Sequence, residues 1–248
     1  MKVRIKKCLF MFLILVTILS GCTMRKPPMR TAQKQVPSIT THVDQSGGLS
    51  DYITGEAESD IEKVISIRED GLRDEVTIDG KKFDITIPSS ITDKQLKLKV
   101  TLKNGRRSNF EIELPKRAPI DSYDKFADQM NEFINDIDET AETRFPSTLK
   151  DGTLIADDKN DAQTWVHIQD GKLLGLCMIA GEETATPELA AIIVAFILNY
   201  EVDNDKVFTA FNDLFEAGET TTVTSNGYQF TFDIYDYRLY INITKVTD

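Results

Sequence analysis

The chain has 248 residues and carries 40 acidic against 29 basic side chains, a formal net charge of −11. Most of the acidic excess lies in residues 119–248, which hold 25 acidic and 8 basic side chains. Nucleic-acid phosphates demand a basic face on their partner, so this composition excludes nucleic acid from the expected partners.

The first 21 residues have the pattern of a secretory signal peptide. Four of the first seven residues are basic, and residues 8–19 form an apolar run that only Thr17 interrupts. A helix of this length extends about 18 Å, well short of the ~30 Å hydrocarbon core that a permanent span must cross. The segment therefore predicts export and cleavage rather than a membrane-spanning helix.

The end of this run, Leu19-Ser20-Gly21-Cys22, resembles the lipobox of bacterial lipoproteins. The resemblance implies that the Cys22 thiol receives a diacylglyceryl group and that a lipoprotein signal peptidase cleaves between Gly21 and Cys22. Two acyl chains hold a protein stably on a membrane, whereas one gives only marginal binding. We therefore expect a protein anchored to the cell membrane by lipid, with its folded part outside the cytoplasm.

The three cysteines leave no pair for a disulfide in the mature chain. Cys8 is removed with the signal peptide, Cys22 is the predicted lipidation site, and Cys177 lies in an apolar run. A lone cysteine in such a run is typical of a small buried residue on a strand. A reactive thiol is the alternative interpretation of Cys177.

Residues 22–49 are predicted to form a flexible tether behind the lipid. They are rich in Pro, Thr, Ser, Gln and Gly and contain few large apolar residues, a composition that does not support a packed core. Their basic side chains either add attraction to anionic headgroups or belong to a solvated linker.

Residues 50–118 show the pattern of a small β-sandwich. Asp79-Gly80 and Asn104-Gly105 are strong hairpin signals, and apolar and polar residues alternate in residues 83–87 and 96–102. The stretch resembles the bacterial Ig-like modules of surface proteins, in residues 53–57, in residues 80–88 and in the closing hairpin. That resemblance implies a spacer or an adhesive module, without catalytic residues.

Residues 119–248 are predicted to form an α+β domain with an antiparallel sheet and about three helices. Apolar residues at helical spacing predict a helix over residues 121–139. A second helix begins at Pro187 and contains the buried run 189–198, and a third ends at Gly218. Strands are predicted at residues 165–168, 172–180, 220–225, 228–235 and 238–246. The fold class expected for the whole chain is therefore α+β.

The first and third of these helices match weakly at an offset of 81 residues. Asp124-Lys125 corresponds to Asp205-Lys206, and antiparallel strands follow each helix. The match indicates a duplicated helix-plus-meander unit, although common helix composition also produces it. The whole arrangement looks like uncharacterised surface lipoproteins of Gram-positive bacteria, and this resemblance implies no activity.

The sequence offers little catalytic chemistry, and we assign no catalytic residue. His167 is the only histidine in a region predicted to fold, and alternation with Val166 and Ile168 places it on the other face of its strand, as a surface or rim residue. The sequence contains no P-loop, no paired-histidine metal motif and no dinucleotide fingerprint. Carboxylates are so frequent that a glycosidase-like pair does not stand out.

Two weaker candidates for a binding site remain. Asp157, Asp158, Asn160 and Asp161 are four oxygen-bearing side chains that could gather Ca²⁺, although they lack the glycine and the distal glutamate of an EF-hand loop. A solvated turn between strands is the alternative. A glycan platform could be formed by the aromatic residues Trp165, Tyr228, Tyr235, Tyr237 and Tyr240, but strands prefer such residues anyway.

These observations predict a non-enzymatic protein of the cell envelope that binds another protein or a wall component. A solute- or glycan-binding receptor lipoprotein is the alternative, and an enzyme is a third class. No cofactor is expected beyond the candidate Ca²⁺.

Replacing the predicted lipidation site tests the anchor. We expect Cys22→Ser to lose the lipid label and to leave the membrane fraction, because the thiol that accepts the lipid is gone. Cys177→Ser is the control and should remain in the membrane. A Cys22→Ser chain that keeps both the label and its membrane location would show that the anchor is assigned wrongly.

Overall fold

The computed structural model describes residues 36–137, 144–159, 161–181 and 187–246. The predicted signal peptide, the predicted lipobox and Cys22 lie outside the described residues. The predicted α+β class is wrong, because 51% of the structure is strand and only 20% helix. The fold is mostly antiparallel β, since the sandwich adds many strands. The predicted tether and the acidic 157–161 region also contribute strand residues, which the sequence did not indicate.

The first part of the fold is a pair of four-stranded antiparallel sheets that enclose one core. One sheet contains β1 (Ile39–Asp44), β2 (Ser50–Ala57), β5 (Ile78–Asp79) and β6 (Lys82–Pro88), in the order β1-β2-β6-β5. The other contains β3 (Ile61–Ile67), β4 (Arg73–Glu75), β7 (Lys94–Leu102) and β8 (Arg107–Leu114), in the order β4-β3-β7-β8. Ile53, Phe83 and Leu98 are buried between the sheets. If β1 to β8 are lettered A, B, C, C′, D, E, F and G, the sheets have the orders A-B-E-D and C′-C-F-G, which Ig-type sandwiches also have. Membership of the Ig-like family stays a prediction.

Strand β1 lies inside the segment that the sequence assigned to a flexible tether. It pairs antiparallel with β2, with Ile39 opposite Ala57 and Asp44 opposite Tyr52. Ile39 and Val43 share one face of the strand and pack against the sandwich core. The tether prediction is therefore wrong for residues 39–44, where these apolar side chains and the pairing with β2 order the backbone.

The second part is a seven-stranded antiparallel sheet with three helices. Its elements are β9 (Asp121–Ser122), α1 (Tyr123–Ile137), β10 (Gly152–Lys159), β11 (Ala162–Gln169), β12 (Lys172–Gly181), α2 (Pro187–Asn199), α3 (Asn204–Ala217), β13 (Thr221–Ser225), β14 (Tyr228–Tyr235) and β15 (Arg238–Lys245). The strand order is β10-β11-β12-β15-β14-β13, and β9 pairs with β12. Apolar residues of all three helices share a second core with one face of this sheet. Within the described residues, no helix is long and apolar enough to cross a membrane.

Local signals explain where helix α3 begins and ends. The side chain of Asp203 caps the helix by accepting a hydrogen bond from the backbone N–H of Lys206. Gly218 adopts a left-handed conformation with φ of 70°, and its N–H donates to the carbonyl of Leu214. The predicted stop at Gly218 is confirmed.

A helix followed by a three-stranded meander occurs twice in this part. The first unit is α1 with β10, β11 and β12, and the second is α3 with β13, β14 and β15. The third strands of the two units, β12 and β15, pair antiparallel at the centre of the sheet. The predicted repeat of a helix and a meander is thus present in the topology.

The two parts have separate cores but pack closely against each other. The predicted boundary between residues 118 and 119 falls between the two cores, and independent folding of residues 119–248 stays a prediction. At the junction, Gly48 contacts Gly175 so closely that a Cβ on Gly175 would lie 1.6 Å from the Gly48 carbonyl oxygen. The Gly48 N–H also donates to Asn242 Oδ1 at 3.1 Å.

A buried arginine organises the chain next to this junction. Arg117 is 4% exposed, and its Nε and Nη2 donate to Asp51 Oδ1 at 2.8 and 2.6 Å. Its Nη1 donates to the carbonyl of Gly47 and its Nη2 to that of Ser50. The guanidinium therefore fixes the loop that precedes β2 to the linker between the two parts.

Removing the arginine tests this arrangement. We expect Arg117→Ala to lower the free energy of unfolding by about 3–5 kcal/mol, because Asp51 then stays buried without its partner. The matched control is Lys63→Ala, which breaks an exposed ion pair with Glu75 and should cost less than about 1 kcal/mol. Chemical denaturation measures both. Equal effects of the two substitutions would contradict the role of Arg117.

Candidate functional site

The face of the seven-stranded sheet opposite the helices carries the candidate site. Side chains of successive strand residues point to opposite faces, so the neighbours of the core residues Leu176 and Met178 lie on this outer face. In the register, Trp165 is opposite Cys177, and Cys177 is opposite Asn242. The next row places Ile179 opposite Tyr240, and Tyr240 opposite Asp233.

The sandwich covers part of the outer face and leaves a hollow at the edge of the covered area. We call this hollow the aromatic groove; it is formed by Tyr52, Trp165, Tyr235, Tyr240, Asp233 and Asn242, with Cys177 and Ile179 between the aromatic residues. Its volume is about 410 Å³. Tyr52 comes from β2 of the sandwich and the other residues from the sheet, so the groove exists only where the two parts meet.

The aromatic side chains of the groove are accessible and separate from one another. Tyr52 is 47% exposed and Tyr235 is 71% exposed, and Trp165 and Tyr240 are half-buried. Rings in the core, such as Phe196 and Phe230, contact each other, whereas no ring contact joins the four groove rings among the described residues. Each ring therefore keeps part of its surface exposed to solvent.

Polar groups alternate with these rings. Asn242 Oδ1 accepts a hydrogen bond from Gly48 N–H, which holds the amide in place. Asp233 Oδ1 accepts from the hydroxyl of Thr220 at 2.8 Å, and Gln163 Oε1 accepts from Trp165 Nε1 at 3.2 Å. The groove thus combines flat apolar surfaces with fixed hydrogen-bonding groups, as small-molecule sites do.

Burial changes the acid–base chemistry of two groups that line the groove. Burial raises the pKa of the Cys177 thiol to about 12, so the thiol stays protonated at neutral pH and is a poor nucleophile. The pKa of the Tyr52 phenol is also raised, first by burial and further by Cys177 and Asp44. Cys177 is buried on a strand, as predicted, but it lies on the outer face rather than in the main core.

The sequence identified part of this groove. Trp165, Tyr235 and Tyr240 come together as the platform hypothesis requires. Tyr228 does not join them, because it lies on the helical face and packs against Phe196. Tyr237, which does not line the groove, is 80% exposed in the turn between β14 and β15.

Tyr52 was missed because the sequence placed it in a separate module. No sequence signal showed that β2 packs near the outer face of the second sheet. Such packing is decided by non-local contacts between the two parts, which a hydrophobic pattern along the chain does not encode.

The structure describes three of the four candidate Ca²⁺ residues, which lie at the end of β10 and in the turn after it. Asp157 and Asp158 are consecutive in β10, so their side chains point to opposite faces. Asp161 lies in the turn after β10 with φ of 63°, and Asn160 is outside the described residues. Among the described residues, no group of three or more His, Cys, Asp or Glu side chains is arranged to hold a metal ion. A cation site here stays a prediction.

His167 is buried, so the prediction of a surface or rim position is wrong. It lies on the outer face, as alternation indicated, but the sandwich covers it and leaves it 6% exposed. Its Nε2 is 2.9 Å from the Ser89 carbonyl oxygen, and its Nδ1 is 2.8 Å from Thr153 Oγ1. A carbonyl only accepts, so Nε2 carries the hydrogen and Nδ1 of the neutral ring accepts from the threonine.

A second cavity lies between helices α2 and α3 and the sheet. Its volume is about 170 Å³, and apolar side chains line it, including Ile193, Phe208 and Phe232. Among the described residues, no polar side chain lines it to orient a ligand. It therefore does not compete with the aromatic groove as a candidate site.

Comparisons with known proteins add little to this description. No protein-family model matches the sequence, and no curated protein matches it. Among solved structures, the chain is similar to a cycloalternan-degrading enzyme from Trueperella pyogenes in complex with isomaltose, with 9% identity and a TM-score of 0.27, over 80% of this chain and 28% of that chain. The chain thus spans less than a third of that protein, and so low a score carries no argument.

The buried histidine makes stability depend on pH. Burial lowers the pKa of His167 below its ordinary value of 6.5, and the charges of Lys94 and Arg117 lower it further, against the raising effects of the Ser89 hydrogen bond and Asp51. As pH falls below about 6.5, the unfolded chain takes up the proton first. We therefore expect the free energy of unfolding to decrease from pH 7.5 to pH 5.5 and to level off below the folded-state pKa.

The measurement is chemical denaturation across this interval, where most carboxylates remain ionised. His167→Gln should show a smaller decrease than the wild type. His42→Gln is the matched control, since His42 is exposed on β1, and it should follow the wild type. An unchanged pH dependence in His167→Gln would sink this assignment.

Proposed function

We propose that this chain is a lipid-anchored, non-enzymatic protein outside the cytoplasm that binds a component of the cell envelope in the aromatic groove. The observation that carries the proposal is the exposure of several aromatic side chains around one concave surface. Exposed apolar clusters on soluble proteins typically mark binding sites, and the structural core of this chain lies elsewhere. The lipobox resemblance supports the anchor and the location.

The small number of carboxylates that line the groove favours binding over catalysis. Asp233 is the only carboxylate that lines it in the part of the chain that the structure describes, whereas glycoside hydrolysis generally uses two. Asp44, which is close enough to raise the pKa of Tyr52, accepts hydrogen bonds from the N–H and hydroxyl of Ser46. The thiol of Cys177 is protonated and has no base beside it among the described residues.

Buried contacts fix the wall of the groove that carries Tyr52, which favours ligand binding. Arg117 fixes the loop before Tyr52, and the contact of Gly48 with Gly175 sets how closely the two parts approach. Side chains that are already ordered lose less conformational freedom when a ligand binds. The groove is therefore suited to bind without a large rearrangement.

Retention on isolated envelopes tests the proposal. The full chain with Cys22→Ser removes the contribution of the lipid, and we expect the purified variant to sediment with wall-containing envelope fragments from which the membranes have been extracted. Trp165→Ala with Tyr235→Ala should reduce the retained fraction at least several-fold, because both rings are lost. Phe215→Ala is the control, since Phe215 is 54% exposed on helix α3 and lies outside the groove. Equal retention of the double variant and the control would rule out the groove as the binding site.

A further inference from the structure

The positions of the groove rings describe a diagonal track across the sheet. Trp165 is on β11 and Tyr240 on β15, with β12 between these strands. Tyr240 lies two residues further along the sheet, in the next row of paired side chains on this face. Strand spacing and rise then place their Cα atoms about 12 Å apart. Tyr235 is on β14, one further strand and one further row along, which adds about 8 Å. A ligand that uses all three rings must be elongated.

The absence of ring contacts argues against a compact cation. An aromatic cage for a quaternary ammonium group closes several rings around one centre. Among the described residues, no contact joins the rings of Tyr52, Trp165, Tyr235 and Tyr240, and the first and last positions of the track are far apart. The geometry fits a chain of successive flat units rather than one enclosed group.

The charges around the groove argue against an acidic ligand. Asp233 lies beside Tyr240 in the middle of the track, and Asp44 lies near Tyr52. No lysine or arginine lines the groove within the described residues; Arg238 lies opposite Tyr235 at the outer end of the track. An anionic chain would therefore meet repulsion from Asp233 and Asp44 along the groove, and Arg238 would offset it only at the outer end of the track.

The polar groups between the rings match hydroxyls. Gln163 lies next to Trp165 and accepts a hydrogen bond from its Nε1. Asn242 lies in the same row as Trp165, with Cys177 between them, and the carboxylate of Asp233 lies next to Tyr240. Amides both donate and accept, and a carboxylate accepts. A sugar ring offers an apolar C–H face for stacking on an aromatic face, which carries the negative end of its quadrupole, and a rim of hydroxyls for these groups.

We propose that the aromatic groove binds an uncharged oligosaccharide chain, whose successive sugar rings stack on Trp165, Tyr240 and Tyr235. This inference rests on the proposed function and names its ligand class. A polypeptide in extended conformation is the competing occupant. Strand addition is disfavoured here, because β12 and β15 are central strands whose edges are already paired.

The single tryptophan of the chain makes the test direct. Trp165 is the only tryptophan, so fluorescence excited at a wavelength that tryptophan absorbs and tyrosine does not reports the groove. The Cys22→Ser chain is titrated with the neutral tetrasaccharides cellotetraose, maltotetraose and chitotetraose. We expect at least one of them to change the emission in a saturable way, and its monosaccharide to bind at least tenfold more weakly, because one sugar ring covers only one aromatic ring.

Groove variants that keep Trp165 test the track. Tyr235→Ala and Tyr240→Ala should each raise Kd at least several-fold, whereas Tyr240→Phe should retain most of the affinity because the stacking face remains. Tyr235 is 71% exposed, so Tyr235→Ala keeps the test valid if Tyr240→Ala does not fold. Phe215→Ala should leave Kd unchanged. Saccharide binding that neither tyrosine substitution weakens would overturn the proposed track.

Three further probes separate the other occupants. An oligogalacturonate, choline and a proline-rich peptide are titrated in the same way, and we expect none to compete with the neutral tetrasaccharide. If one of these probes binds and no tetrasaccharide does, the saccharide inference is wrong. The same holds if no tetrasaccharide binds while retention on envelopes still depends on the groove; in both cases the proposed function stands. If retention is independent of the groove, the proposed function fails separately.

Discussion

The buried ion pair of Arg117 and Asp51 is the constraint on which the rest of the structure depends. Taking a guanidinium and a carboxylate out of water costs several kcal/mol for each ion unless nearly every polar group finds a partner. Here the guanidinium of Arg117 also donates hydrogen bonds to the carbonyls of Gly47 and Ser50. The loop before β2 is therefore held in one conformation, which brings Gly48 onto Gly175 and Tyr52 beside the outer face of the second sheet.

This docking divides the outer face into two unequal environments. On the covered part, Ser89 and Thr153 are the hydrogen-bond partners of both ring nitrogens of His167, which stays neutral. On the open part, aromatic rings and side-chain amides remain at least partly exposed, although the sandwich lies beside them. An antiparallel sheet normally presents polar side chains to water, so the aromatic residues there are not explained by packing. The exposed rings are consistent with a surface whose partner is a ligand.

Local signals predicted much of the fold, and non-local contacts account for what was missed. The glycines at Asp79-Gly80 and Asn104-Gly105 both adopt positive φ, because a tight turn is decided by its own residues. The cap and stop of α3 are equally local. Strand β1 and the strand β10 that contains Asp157 were missed, since their strand structure depends on pairing with β2 and β11. The burial of His167 and the contribution of Tyr52 depend on how the two parts pack, which no window of sequence contains.

The repeated helix and meander gives the groove its position in the sheet. The third strands of the two units pair at the centre, and the groove crosses this seam. The first unit contributes Trp165, and the second contributes Asp233, Tyr235 and Tyr240. Neither unit holds enough of the track for an elongated ligand, and Tyr52 comes from outside both. The site is thus a property of the assembled chain: pairing of the two meanders creates its floor, and the buried arginine places its wall.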